Sequence, residues 1–198
     1  RGAVRLGHGR VAVANAGTHQ IRLFGPDGSF LHALGGEGEG PGEFGSLSGL
    51  GRRGDTLVAH DFGASRLTVL DPDEGLLSTT TLAHDGNMPV RVFPTSSGSI
   101  GLHVEYVTDI PAEYRHSRRP ARYVRYGRDG RPLGEIDVLA GTETLYRGNM
   151  EGATTFVVMT SPLIAHQQHE AVVGDRLVAG VTDRFEIRVY APDGSLER

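Results

Sequence analysis

The chain has no cysteine, no tryptophan and no lysine, and each gap removes a class of chemistry. Without cysteine there are no disulfides and no thiol chemistry. No stretch approaches the length of apolar sequence that a membrane-spanning helix needs. All 20 basic residues are arginine, and 24 acidic residues outweigh them, giving a net charge of −4 and a pI near 6.1. That balance argues against a nucleic-acid surface. The missing tryptophan also removes the best base-stacking platform an RNA-binding face could use.

What is present is glycine, 29 residues of it, in a chain of 198 that is 38% hydrophobic. This suits a turn-dense all-β protein large enough to bury one substantial core. The chain also repeats itself. Val11–Phe24 reads VAVANAGTHQIRLF, Leu57–Leu70 reads LVAHDFGASRLTVL, and Leu177–Tyr190 reads LVAGVTDRFEIRVY. A stretched third copy runs from Ile100 through Tyr123–Tyr126. Each copy ends in an Asp/Glu-Gly turn, at Gly28, Gly75, Gly130 and Gly194, with spacings of 47, 55 and 64 residues. Asp caps the backbone in such a turn and Gly supplies the positive φ.

Within each copy, runs such as Ile21–Phe24 and Ile187–Tyr190 alternate apolar and polar residues, the period of a half-buried strand. Further short runs precede and follow, making about four antiparallel strands per repeat. Repeats of this size and content predict an all-β fold, a β-propeller of four-stranded antiparallel blades. A β-sandwich has no reason to repeat its turn chemistry. The expected blades lie at about 1–35, 47–83, 90–140 and 170–198 of one propeller domain, with long insertions at 105–122 and 140–169. Helix is expected only as a turn or two. The expected core is Val13, Ile21 and Leu23, then Val58, Leu67 and Val69, then Val178, Ile187 and Val189, with Arg188 on the alternate face.

The stretch Val11–Leu50 resembles the NHL repeat of six-bladed β-propellers. The likeness is carried by the Val-Ala-Asn strand, Thr18–Ile21, Phe24–Gly28 and the Gly/Glu-rich run Gly35–Phe44. Leu47 stands where that family usually has proline. The later part, through Asp175–Val178 and Arg184–Gly194, is similar to bacterial six-bladed propellers that are often exported or lipid-anchored. The resemblance implies a periplasmic or extracellular location. It also implies that four blades are part of a larger ring, whose open sheet edges would invite edge-to-edge association.

Function on such a scaffold gathers in the longer connections, here Gly35–Leu47, Glu105–Arg122 and Ala140–His169. The residues expected to form a binding surface there are His19, His60, Asp61, Asp183 and Arg184, with the basic run Arg115, Arg118, Arg119 and Arg122. Asp61 holds the place where the resembled family has a loop-bracing Asp, and Asn15 holds it in the first copy. Gly35–Phe44 has G-x-G spacing, but three glutamates and Pro41 intrude, and no lysine or following helix completes a phosphate loop. It is expected to be a flexible crossover pinned by Phe44.

His166 and His169 are the most metal-like pair. Their spacing is one residue short of the helical H-x-x-x-H motif, and in a strand they would face opposite sides. They are weak metal candidates, and no cofactor is expected. The reading is therefore a non-catalytic module that binds a protein or glycan partner, without nucleic acid. The alternative implied by the resemblance is a metal-dependent lyase or lactonase-type hydrolase. It would place a divalent metal and residues such as His19, His60, Asp61 and Asp183 on the propeller axis.

Overall fold

The computed structural model describes residues 2–105, 113–151, 154–184 and 186–198. Four antiparallel sheets follow one another along the chain. The first comprises β1 (Gly2–Arg5), β2 (Val11–Asn15), β3 (Gln20–Phe24) and β4 (Phe30–Leu34). The second comprises β5 (Leu47–Arg53), β6 (Thr56–Asp61), β7 (Arg66–Asp71) and β8 (Gly75–Thr81). The third has five strands: β9 (Pro89–Pro94), β10 (Gly98–Val104), β11 (Arg115–Gly127), β12 (Pro132–Glu151) and β13 (Thr154–Thr160). The fourth has β14 (Gln168–Val173), β15 (Arg176–Val181) and β16 (Ile187–Tyr190), with a single bridge from Tyr190 to Leu196 where a fourth strand would start. In every sheet, strands neighbouring in sequence are neighbours in space. These are the up-and-down blades of a β-propeller. Among the described residues the helical content is one 3₁₀ turn, Gly7–Gly9. No helix there is long and apolar enough to cross a membrane.

The same turn chemistry closes the third strand of each sheet. Gly28, Gly75, Gly130 and Gly194 have φ between 78° and 92°. Asp27 accepts from the backbone N–H and the hydroxyl of Ser29, and Asp193 does the same for Ser195. Asp129 accepts from Arg131 N–H, and Asp71 from the N–H groups of Asp73 and Glu74. A carboxylate that accepts such bonds is favoured in its charged form. The Asp27 carboxyl, for one, sits below the usual range, chiefly through its bonds from Ser29.

By its contacts the chain forms two compact units, residues 1–102 with 124–134, and residues 103–123 with 135–198. In the first, Ala12, Ile21 and Leu23 pack with Leu57, Ala59 and Leu70 of the second sheet, and Phe44 is sealed into the same cluster. The opposite face of the second sheet, through Val58 and Leu67, packs with Leu82 and Tyr126. Fully burying a Leu or Ile contributes about 1.5–3 kcal/mol, so a blade covered on both faces is strongly held. In the second unit Leu177, Ala179 and Tyr190 are buried.

Two sequence expectations are corrected. Val13 is only half-buried, and its neighbours Ala12 and Ala14 carry the first sheet's buried face. Ile187 is exposed and Val178 and Val189 are half-buried, while Leu177 and Tyr190 take the core positions. The cause is that a blade is apolar on both faces, so alternation alone does not say which face is covered. Much of the two insertions is also strand: β11 begins at Arg115, β12 runs for 20 residues and β13 follows it, whereas 161–167 are turn and irregular chain. Residues 106–112 and 152–153 of those insertions lie outside the described residues.

Candidate functional site

The turn between β2 and β3 shows how the repeat places a side chain. His19 has φ 53°, and Ser65, at the matching position of the second repeat, has φ 45°. His19 Nδ1 donates to the carbonyl of Phe44 at 2.8 Å, and Ser65 Oγ donates to the carbonyl of Leu82 at 3.3 Å. Each ties its turn to the crossover that leaves its own sheet. His19 therefore braces the crossover, leaving Nε2 as its remaining polar atom.

Asp61 does the complementary work from the end of β6. It is 1% exposed and accepts from the N–H groups of Gly45 and Ser46 at 2.8 and 3.0 Å. Arg66 donates to the carbonyls of Glu39 and Glu43, and Glu43 accepts from Gly40 N–H. The Gly/Glu-rich crossover, expected to be flexible, is thus tied in its middle and at the end that enters β5. The Asn15 side chain, the counterpart of Asp61, accepts from Gly17 N–H within its own turn.

His60 is 2% exposed. Ser48 Oγ donates to the His60 carbonyl at 3.1 Å, which makes His60 Nδ1 the donor to Ser48 Oγ at 2.9 Å. Nε2 then carries a buried lone pair without a protein partner among the described residues. Burial pushes the ring's pKa down to about 4, against the pull of Asp61, so the imidazole is neutral near pH 7.

Above this layer, Ala16, His19, Ser46, Ser48 and Arg91 line an open cavity of about 480 Å³. Arg91 also stacks at 5.6 Å from the Phe93 ring centroid. A guanidinium, a serine hydroxyl and an imidazole suit recognition of an acidic or hydrogen-bonding group. Sequence reasoning missed Ser46, Ser48 and Arg91, because serines near glycines and one arginine in a strand carry no motif.

The other predicted residues fall in the second unit. Arg118 is paired with Asp183 at 2.8 Å and donates to the Gly141 carbonyl at 3.1 Å. That bond from Arg118 lowers the Asp183 pKa. Arg119 donates to the Glu105 carbonyl, and Arg122 lies 3.8 Å from Glu135. Arg115 is exposed at the start of β11. The basic run is thus a strand with much of its charge paired, not a free loop. His166 and His169 are exposed, and His166 N–H donates to Glu143 at 3.0 Å. Among the described residues no three His, Asp or Glu gather in a metal-holding group.

Arg184 and His169 instead border a groove of about 670 Å³ on β14–β16, floored by Ala171, Val178 and Ile187. Opposite, Arg188 and Tyr190 both donate to Asp137, with Arg188 Nη1 at 2.9 Å. Burial and the bond to Asp137 raise the Tyr190 pKa to about 12. Gln168 donates to Glu170 at 2.7 Å and to the buried hydroxyl of Tyr123. These networks tie the sheets of the second unit together.

No protein-family model matches the chain, and no curated protein does. A solved structure from Bacteroides fragilis, assigned as an exported protein, is similar over 98% of this chain and 48% of its own, at 15% identity and a TM-score of 0.57. The chain spans about half the length of that protein. The β-propeller domain of Cps50 (Swd1) from Myceliophteria thermophila aligns at 10% identity over 100% of this chain and 87% of its own, with a TM-score of 0.37. A Bacteroides fragilis protein assigned as a 6-phosphogluconolactonase aligns at 16% identity over 95% and 65%, with a TM-score of 0.39. At these identities the likeness speaks to fold alone.

Proposed function

We propose that this chain is a non-catalytic binding module of the NHL-like, six-bladed propeller class, working outside the cytoplasm without a cofactor. One observation carries the reading: the polar side chains best placed for chemistry hold the scaffold instead. Asp61 and His19 brace the crossover, and Ser48 caps a carbonyl beside a neutral His60. What remains accessible is a recognition surface, the cavity bordered by His19, Ser46 and Arg91. Its chemistry fits an acidic side chain or chain terminus of a protein partner. The NHL resemblance of Val11–Leu50 supports the class, and the likeness to a protein assigned as exported supports the location.

The metal-dependent lyase or lactonase reading would need three or four converging ligands. His60 offers one lone pair, and the Asp61 oxygens already accept backbone N–H groups.

The test is affinity capture from the native extract with wild type and an Arg91→Glu, His19→Ala variant. The expected result is a partner retained by wild type, released by salt and lost with the variant. Lactone or lyase turnover by purified protein supplied with divalent metal, abolished by His60→Ala, would overturn the reading.

A further inference from the structure

We propose that strand β13 is the docking edge for a second copy of this chain, pairing antiparallel with its own counterpart across a two-fold axis.

β13 closes one end of the third sheet. It pairs with β12 through seven consecutive partners, from Leu145↔Thr160 to Glu151↔Thr154. Alternate residues of a strand direct their backbone N–H and C=O to opposite sides. The side of β13 away from β12 therefore offers a row of donors and acceptors, and among the described residues no strand meets them. Another strand matches such a row group for group, because its own groups repeat at the same spacing.

The other edge strands of the four sheets are each blunted. β1 carries Arg5, β5 carries Arg52 and Arg53, β14 carries Glu170 and β16 carries Arg188. β9 holds Pro89, Arg91 and Pro94. β4 and β8 each slip register against their partner strand, at Leu23/Phe24 and at Val69/Leu70. Charges, prolines and bulges are the devices by which a sheet turns away a new strand. β13, with the sequence TTFVVMT over Thr154–Thr160, has none of the three. No Asp, Glu, Lys or Arg occurs anywhere in 152–169. Met159 is half exposed, and Leu163 and Ile164, just beyond the strand, are exposed almost completely.

The sequence of β13 selects a second copy as the occupant. A strand without charge meets its own counterpart without like-charge repulsion. Antiparallel pairing about Val157 sets Thr154 opposite Thr160, Thr155 opposite Met159 and Phe156 opposite Val158. β-branched and aromatic residue types dominate these positions, and they are the types favoured in cross-strand pairs. The contact is isologous: the same edge serves on both copies, so one pairing uses up both edges and assembly stops at two.

Sedimentation velocity across a wide concentration range, together with cysteine trapping, tests this. The full chain should form a reversible dimer that grows no further. Val157→Lys sets two like charges opposite each other at the two-fold axis, while its register partner in β12 is only Gly148. It should weaken dimerisation about tenfold with circular dichroism unchanged. The chain has no cysteine, so Val157→Cys supplies a lone thiol. Directly opposed residues meet the distance a disulfide needs, so mild oxidation should link this variant into a covalent dimer. Ser78→Cys, at an exposed position of the bulged β8, should link far more slowly. Wild type that stays monomeric at every concentration overturns the proposal and leaves the edge to an extended segment of another protein. A dimer that tolerates Val157→Lys, or one that links no faster through Val157→Cys than through Ser78→Cys, also overturns it. So does growth into larger species.

Discussion

Leu67 and Ile187 hold the same register, facing His60 and Gly180 in the pairs β6–β7 and β15–β16, yet Leu67 is 6% exposed and Ile187 68%. Truncating the two should therefore give unequal results. Leu67→Ala should cost about 2–4 kcal/mol, as a large-to-small change inside a packed cluster. Ile187→Ala should cost less than about 1 kcal/mol at concentrations where the chain is monomeric. Denaturant melts of the two variants decide it, and equal losses would mean that the fourth sheet's open face is covered.

That pair also shows what the residues could and could not say. The repeated phrase, its Asp-Gly turns and the alternation of Ile21–Phe24 announce antiparallel blades, because turn chemistry and strand period are local. Which face a neighbour covers is a tertiary matter. In β2 the residues Val11, Ala12, Val13 and Ala14 are all apolar, so nothing local distinguishes the face that Ala12 buries from the one that bears Val13. Strand β11 was unreadable for another reason. Arg118, Arg119 and Arg122 look like a solvated loop until Asp183, Glu105 and Glu135 are seen beside them.

The candidate site was half legible. Asp61 could be read as a brace from the sequence, and the repeat alignment already sets His19 beside Ser65. Ser46 and Ser48 flank Leu47 at the start of β5 and Arg91 lies in β9, and only folding brings them to one cavity with His19.

Asp61 should be among the more sensitive polar positions of the first unit. Asp61→Ala removes the buried carboxylate that accepts from the N–H groups of Gly45 and Ser46 and should cost about 2 kcal/mol. Asn15→Ala, which removes one bond in an exposed turn, should cost about 0.5 kcal/mol. Melting temperatures that fall equally in the two variants would contradict the bracing role.

Two of the repeat's turn glycines should differ in the same way. Gly28 and Gly130 both have positive φ, 82° and 78°. A Cβ on Gly28 meets nothing within 4 Å, but on Gly130 it would lie 2.1 Å from the Thr81 carbonyl oxygen. Ala83 N–H also donates to the Gly130 carbonyl, fixing the approach. Gly28→Ala should cost about 1 kcal/mol, the backbone strain alone. Gly130→Ala adds overpacking and should cost about 3 kcal/mol or more. Matching melts for the two would show that the Gly130 turn can move away from β8.

Acid should loosen the fold through His60. Its pKa is lowered from 6.5 to about 4, because burial penalises the charged ring more than Asp61 favours it. The unfolded chain therefore binds more protons than the folded one between those two values. The stability His60 contributes is complete above about pH 6.5 and falls as pH drops toward about 4, by about 3 kcal/mol in total. His60→Gln removes the titration while keeping a polar side chain. The variant starts less stable at neutral pH, but its stability should fall about 2 kcal/mol less than wild type between about pH 7 and about pH 5. Every other group is common to the two proteins, so the difference between the two slopes isolates His60. Denaturant melts giving parallel pH curves for wild type and His60→Gln would show that the buried ring takes up its proton without opening the blade.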